Sequence, residues 1–140
     1  MKKLIPALAL LAMLIVCPQN PAIGQDQSHG KPIEMTTYYV GFLYRGAKWT
    51  PGETPELQRL QEEHLANIRR LVDSGKLLLA GPFTDGGDLR GMFVFKVDSM
   101  EEAKALADGD PAVKAGRLRV ELHPWYSAKG IRVETTSKEK

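Results

Sequence analysis

The sequence predicts an α+β fold of the ferredoxin-like βαββαβ type, in which two helices cover one face of a four-stranded antiparallel sheet. Three observations support this fold class. Four segments are rich in the aromatic, aliphatic and β-branched residues that are typical of strands. Two segments have apolar residues at helical spacing, and they interrupt the strands in the order β-α-β-β-α-β. Glycine and proline occur between these segments, where turns are expected.

The first strand is predicted over residues 37–44, where aromatic and β-branched residues predominate. Residues 45–54 contain two glycines, a proline and a tryptophan, and they are predicted to form a loop. Thr54 is a suitable N-cap for a helix that begins at Pro55, because proline is favoured at the first helical position. Gly75 is expected to follow the end of this helix in the left-handed conformation.

The second and third strands are predicted to form a hairpin. Residues 76–83 and 91–97 are both largely apolar, and residues 84–90 contain the turn-forming sequence Asp-Gly-Gly-Asp. The two strands should therefore pair directly with each other.

The second helix is predicted to start at Asp98, since Glu101 three residues later completes a pattern like the capping box. It should extend to about Asp108. Residues 110–116 begin with Asp-Pro and predict a short helical turn, and residues 117–126 predict the fourth strand.

The predicted strands do not alternate apolar and polar residues, as a sheet with one solvent-facing side should. Runs such as Tyr-Tyr-Val-Gly-Phe-Leu-Tyr and Met-Phe-Val-Phe are apolar on both faces. Because a large exposed apolar face is uncommon on a monomer, we expect a homodimer in which two sheets pack face to face.

The first residues predict an export signal over residues 1–24. Two lysines precede an apolar run at residues 4–16, which is too short to span a bilayer because spanning needs about 20 residues. Small residues precede a cleavage point after Gly24. An uncleaved membrane anchor and a lipoprotein signal that uses Cys17 are the alternatives. We expect the protein to be exported, either to the periplasm or by secretion.

The charge balance excludes several classes of partner. The export signal carries two of the 19 basic residues and none of the 17 acidic ones, so the mature chain would have no net charge. Nucleic acid and stable membrane insertion are therefore not expected. Residues 25–36 and 127–140 are polar and predict a flexible leader and tail around a domain at 37–126.

His64 is the main candidate for chemistry because it stands in the apolar row of the first helix, four residues after Leu60 and four before Ile68. It is either a buried structural histidine or an acid–base residue. Asp110 is its best candidate partner, since the short turn before the last strand could approach the first helix. Asp110 before a proline is also an ordinary helix N-cap, and the two roles are compatible.

A carboxylate bonded to one imidazole nitrogen would fix the ring and leave the other nitrogen free to transfer a proton. Motifs for a serine nucleophile, a zinc protease or a phosphate loop are absent from the sequence. Acid–base chemistry on a small molecule is therefore favoured over covalent catalysis, and no cofactor is expected.

Other residues could also contribute to a site. A metal site is an alternative that would use His64, His123, Glu62 and Glu63, but their spacing matches no known ligand pattern. Trp49 could cover a pocket or anchor its loop.

Arg90 could bind an anionic ligand or pair with a carboxylate of the hairpin. Gly81 and Pro82 are interpreted as the end of the second strand. Trp49 and Arg90 are the candidates for substrate binding.

Several motifs together resemble the YCII-related (YciI-like) domain family, and the resemblance covers residues 37–125. The matching segments are Glu63-His64-Leu65, Gly75-Lys76-Leu77-Leu78, Ala80-Gly81-Pro82-Phe83, Ser99-Met100-Glu101-Glu102-Ala103, Asp110-Pro111-Ala112-Val113 with Ala115-Gly116, and His123-Pro124-Trp125.

This resemblance implies a ferredoxin-like dimeric α+β barrel with a His–Asp active-site pair that falls on His64 and Asp110. A related dehydrochlorinase acts on a chlorinated hydroquinone, and the wider barrel superfamily includes muconolactone isomerase. They imply lyase or isomerase chemistry on small cyclic or enol-like molecules. The alternative is a non-catalytic dimeric module that binds a small ligand or a partner protein.

Overall fold

The computed structural model describes residues 32–133, and these form a four-stranded antiparallel sheet with helices on one face. The order of the strands in the sheet is β2-β3-β1-β4, which is the ferredoxin-like arrangement that the sequence predicts. The elements are β1 (Met35–Arg45), α1 (Pro55–Asp73), β2 (Leu77–Pro82), β3 (Leu89–Phe95), α2 (Met100–Asp108), α3 (Pro111–Lys114) and β4 (Leu118–Ala128).

The limits of α1 follow from its capping residues, as predicted. The Thr54 hydroxyl accepts a hydrogen bond from the Leu57 amide, and Pro55 occupies the first helical position. At the other end Gly75 has a φ of 71°, a left-handed conformation that residues with a Cβ rarely adopt. The chain can therefore turn sharply from α1 into β2.

The predicted start of α2 is wrong by one residue. The N-cap is Ser99, whose hydroxyl accepts a hydrogen bond from the Glu102 amide at 3.1 Å. Glu102 in turn accepts a hydrogen bond from the Asp98 amide at 3.4 Å. Two overlapping capping patterns are present in the sequence, and the one that begins at Ser99 is formed.

The ends of β1 and β4 extend beyond the predicted domain limits of 37 and 126. Met35 pairs with Ala128 and Thr36 pairs with Ser127, so these four residues belong to the sheet rather than to a flexible leader and tail. Neither segment resembles a strand by itself. Each becomes part of a strand only by pairing with the other, which lies at the opposite end of the domain. The predicted export signal, Cys17, most of the leader and the end of the tail lie outside the described residues.

The main core lies between the helices and the sheet. Its buried members include Leu43 of β1, Leu71 of α1, Phe93 and Phe95 of β3, and Ala103 of α2. Val72, which the helical pattern also assigns to the apolar row, is 45% exposed. The apolar stripe of α1 is narrow enough that the position after Leu71 already faces away from the sheet.

The opposite face of the sheet is also apolar, as predicted. Tyr38 and Val40 of β1 alternate with core residues and form a second cluster with Val94 of β3. Phe42 and Ile131 pack against this cluster. Within residues 32–133, no helix is long and apolar enough to cross a membrane.

Candidate functional site

A pocket of about 420 Å³ lies between α1 and one edge of the sheet, where β1 and β2 end and β3 and β4 begin. This volume lies within the range of about 300–1,000 Å³ that is usual for small-molecule sites. Most of the lining is aliphatic or aromatic, and the polar part comes from His64, Gln61, Arg90 and Arg117. The larger apolar side chains of the lining are Leu43, Trp49, Leu57, Leu60, Leu65, Ile68, Phe93 and Leu118.

The structure brings His64 and Asp110 into direct contact. The Nδ1 atom of His64 lies 2.8 Å from one carboxylate oxygen of Asp110 and 2.9 Å from the other. An ionised carboxylate only accepts hydrogen bonds, so the hydrogen is on Nδ1. The ring is thereby held in one tautomer and one orientation, as the pair predicted from the sequence requires.

The other ring nitrogen of His64 is available on the pocket side. His64 lines the pocket and its side chain is 12% exposed, and Nε2 makes no hydrogen bond with residues 32–133. The ring also lies 6.1 Å from the ring of Phe93, which limits its rotation. A neutral imidazole with hydrogen on Nδ1 has a lone pair on Nε2, which can accept a proton from a molecule in the pocket.

Asp110 is fully buried, and every partner of its carboxylate is a donor. The Asn67 side chain and the Ala112 amide each donate a hydrogen bond at 2.9 Å, in addition to His64. Burial is the largest single influence on this pKa and raises it. The hydrogen bond from His64, the positive charge of its protonated form and the other two hydrogen bonds outweigh burial and hold the pKa of Asp110 below its usual value. The carboxylate is therefore ionised and able to stabilise an imidazolium.

Asn67 is a further member of this network that the sequence pattern does not reveal. It is buried, and its side-chain oxygen accepts a hydrogen bond of 2.6 Å from Arg70. That contact orients the amide so that its nitrogen points at Asp110. The only sequence signal is the spacing, because Asn67 follows His64 by three residues and so shares a face of α1 with it.

The loop between β1 and α1 carries Trp49 to the mouth of the pocket. Its backbone is anchored to the start of β4, since the Gly46 amide bonds the Arg117 carbonyl at 2.8 Å and the Lys48 amide bonds the Gly116 carbonyl at 2.9 Å. A Cβ at Gly46 would lie 2.2 Å from the Gly116 oxygen, so this approach requires glycine. Trp49 therefore lines the pocket from a loop whose backbone is anchored to β4 by its neighbours.

Three arginines surround the indole ring of Trp49. The guanidinium carbon of Arg117 lies 4.2 Å from the ring centre, and those of Arg45 and Arg90 lie 5.2 and 5.3 Å from it. Arg117 and Arg90 also line the pocket. Arg117 was not a candidate from the sequence, because its role depends on contacts with a loop 67 residues away.

Arg90 does not pair with a hairpin carboxylate, which was one of its two predicted roles. It donates a hydrogen bond to the Gly87 carbonyl at 3.2 Å, and it forms no ion pair among residues 32–133. Gly81 and Pro82 end β2 as predicted, and they also line the pocket beside Arg90.

The two described histidines lie on different faces of the sheet. His64 faces the core between α1 and the sheet, whereas His123 packs against Phe42 on the open face at a ring distance of 5.8 Å. Glu62 and Glu63 are exposed on α1. Residues 32–133 contain no group of three or more histidine, cysteine, aspartate or glutamate side chains with the geometry of a metal site.

The structure thus places His64, Trp49 and Arg90 in the lining of one pocket. Asp110 lies behind His64 and is hydrogen-bonded to it. The structure leaves His123 apart from them, and it adds Asn67 and Arg117 to the residues that sequence patterns suggest.

The part of the chain that contains the sheet and the pocket is similar to known proteins. A sequence model of the YCII-related domain matches residues 42–126, which is more than half of the chain. The uncharacterised protein YjpA of Bacillus subtilis is 30% identical over 76 residues, which cover 51% of this chain and 87% of YjpA.

Among solved structures, 5-chloro-2-hydroxyhydroquinone dehydrochlorinase (TftG) of Burkholderia phenoliruptrix, in complex with 2,5-dihydroxybenzoquinone, is similar to this chain. The identity is 23%, and the TM-score is 0.45. The similarity covers 61% of this chain and 92% of that structure.

Proposed function

This chain belongs to the YCII-related domain family, and we propose that it is a small-molecule enzyme of the lyase or isomerase type. In this proposal His64 is the general acid–base residue and Asp110 is the carboxylate that orients it. One observation carries the proposal. A buried, ionised carboxylate holds Nδ1 of an imidazole whose ring lines a pocket of about 420 Å³.

The proposed reaction begins with proton transfer from a carbon acid next to a carbonyl group. Nε2 of His64 accepts the proton, and the electron pair of the broken C–H bond moves into an enolate. Nδ1 keeps its hydrogen and donates a hydrogen bond to Asp110, whose negative charge stabilises the imidazolium.

The imidazolium then returns the proton in one of two ways. In an isomerisation the substrate carries a double bond conjugated with the enolate, and the imidazolium protonates the far carbon of the resulting dienolate. In an elimination the enolate electron pair expels a leaving group on the adjacent carbon, and His64 protonates that group. Both routes regenerate neutral His64 and need no external oxidant.

Trp49 and Arg90 are the proposed substrate-binding residues. The indole ring would bound the mouth of the pocket and limit access of water, and Arg90 would contact the substrate from the β3 side. Limiting water strengthens every electrostatic interaction inside the site. We further propose that the protein acts after export and as a homodimer.

The second candidate function is a non-catalytic module that binds a small ligand. It is favoured because both carboxylate oxygens of Asp110 already accept hydrogen bonds within the protein. One of these bonds comes from the Ala112 amide, so Asp110 also caps α3. On this alternative His64→Leu would keep ligand binding, although the buried carboxylate of Asp110 would lose one hydrogen-bond donor.

Proton exchange provides a test that needs no knowledge of the natural substrate. Deuterium incorporation from D₂O into phenylpyruvate and phenylacetone, two enolisable probes, is measured by NMR with the full chain. We expect exchange of at least one probe to slow by about 10²–10⁴-fold in His64→Gln, as is usual when a general base is lost.

His123→Gln is the matched control, because it changes the histidine on the opposite face of the sheet. It should leave the exchange rate unchanged. If the unchanged protein exchanges neither probe faster than His64→Gln does, the acid–base proposal is wrong.

A further inference from the structure

We infer that the pocket binds a small organic anion with an apolar body, whose carboxylate lies between Arg90 and Arg117 at the pocket mouth. This inference rests on the proposed function in that the anion would be its substrate. It goes further by naming the charge class of that substrate and by assigning Arg117 to its recognition.

The first observation is a concentration of positive charge without a carboxylate partner. The guanidinium carbons of Arg45, Arg90 and Arg117 all lie within 5.3 Å of the centre of the Trp49 ring. None of the three forms an ion pair with an acidic residue among residues 32–133. Like charges gathered around one ring repel one another, since salt screens such repulsion only over about 8 Å at physiological ionic strength. A bound anion would relieve that repulsion.

The acidic residues near these arginines do not form ion pairs with them. The Asp88 carboxylate lies 3.8 Å from Arg119 of β4, and Asp85 accepts a hydrogen bond from the Gly87 amide. Glu53 and Glu62 share a shallow depression with Arg117, but neither is within ion-pair distance of it. The pocket lining itself contains no aspartate or glutamate.

The second observation is that both lining arginines are held in position while keeping free donors. Arg117 donates from one terminal nitrogen to the Thr50 carbonyl at 3.0 Å, and Arg90 donates from one terminal nitrogen to the Gly87 carbonyl at 3.2 Å. A guanidinium has five N–H groups, so several remain for a ligand on each side chain. Arginine held in this way is well suited to a carboxylate, whose two oxygens match its forked donors.

The third observation is the apolar remainder of the pocket. Beyond the arginines, the lining of α1 and the sheet consists mainly of leucine, isoleucine and phenylalanine side chains around His64. A highly charged or heavily hydroxylated ligand would leave its polar groups unpaired there, at a cost in affinity. The arrangement fits one carboxylate at the mouth and a ring or branched chain inside, with the reacting carbon near His64.

Binding of two matched probes to the full chain tests the inference directly. Isothermal titration compares benzoate with benzamide, which has the same ring and nearly the same shape but no charge. We expect benzoate to bind roughly tenfold more tightly than benzamide, because hydrogen bonds to a charged group exceed those to a neutral one.

Single substitutions then locate the preference. Arg117→Gln and Arg90→Gln should each weaken benzoate binding several-fold and leave benzamide binding unchanged. Arg119→Gln is the control, because Arg119 lies two residues further along β4 and its guanidinium carbon is also 4.2 Å from an aromatic ring, that of Tyr44. It removes the same charge outside the pocket and should change neither affinity.

The outcomes separate this inference from the proposed function. Equal affinity for the two probes, or an equal loss of benzoate binding in Arg119→Gln, would overturn the anion inference whatever the exchange experiment gives. Preferential benzoate binding in a protein that exchanges no probe would retain the anion site and reject catalysis. Loss of both affinities in Arg117→Gln would show that Arg117 only anchors the Trp49 loop.

Discussion

At the residue scale, the decisive contact joins two side chains that each have an ordinary structural explanation. His64 occupies a core-facing position of α1, and Asp110 caps α3. They are 46 residues apart in sequence, so neither pattern alone indicates that they meet. Their contact beside a pocket gives the pair a chemical capability that neither residue has separately.

Asn67→Ala tests whether the carboxylate depends on its buried neighbour. The substitution removes a hydrogen bond from Asp110 and leaves Arg70 without its acceptor. We expect the free energy of unfolding, measured in urea, to fall by about 1–3 kcal/mol, the usual cost of unpairing a buried polar group. Arg70→Gln is the control and should cost less, since Arg70 is exposed. Equal losses in the two variants would contradict the network.

Asp110→Asn tests the ionisation of the buried carboxylate. The folded protein holds the pKa of Asp110 below its unfolded value, which is about 3.9. Ionisation therefore stabilises the fold above that value, and the contribution is lost as the pH falls through the folded-state pKa.

The difference in unfolding free energy between the unchanged protein and Asp110→Asn should be largest near neutral pH. It should shrink as the pH falls below about 4. Asp108→Asn removes an exposed carboxylate and should show little difference at any pH. A difference for Asp110→Asn that stays constant from neutral pH to below pH 4 would contradict the assignment.

At the element scale, the order of strands and helices can be predicted from the sequence. The first and last residues of these elements can be predicted only in part. Pro55 and Gly75 delimit α1 correctly because their backbone preferences are strong and local. The start of α2 is less certain from sequence, since Asp98 and Ser99 are both acceptable caps. The ends of β1 and β4 cannot be read locally, because Met35 and Ala128 become strand residues only by pairing with each other.

The same distinction applies to the site. His64 is conspicuous in sequence because a polar residue interrupts an apolar row. Arg117 is an ordinary residue at the start of a strand, and its position beside Trp49 depends on how the β1–α1 loop packs on β4. Residues that act through long-range packing are those that sequence reasoning misses.

The two candidate caps of α2 can be compared by substitution. Ser99→Ala should lower the free energy of unfolding by about 1 kcal/mol, because the Glu102 amide loses its acceptor. Asp98→Ala should cost no more than about 0.5 kcal/mol, as is usual at surface positions. Chemical denaturation of both variants measures the difference, and the reverse order would contradict the assigned cap.

At the scale of the whole molecule, the open face of the sheet carries an apolar cluster that the helices do not cover. Tyr38, Val40 and Val94 form its centre and are buried within the chain, whereas Trp125, which packs against Tyr38, is 43% exposed. A second copy of the chain is the partner that we propose for this face, since two such sheets can bury each other.

Sedimentation equilibrium tests the proposed dimer. The protein should be a dimer at micromolar concentration, and Phe42→Lys should convert it to a folded monomer by placing a charge on the open face. Val72→Lys adds the same charge on the exposed side of α1 and should remain dimeric. A monomer for the unchanged protein, or equal effects of the two variants, would contradict the sheet-to-sheet arrangement.

A double-mutant cycle on the proton-exchange rate tests the central claim, that His64 and Asp110 act as a unit, most directly. His64→Gln, Asp110→Asn and the double variant are compared with the unchanged protein on whichever probe exchanges faster. Because the pair shares one proton-transfer role, the double variant should exchange no more slowly than His64→Gln alone. Losses that multiply, or exchange that survives in His64→Gln, would show that the two residues do not form a catalytic pair.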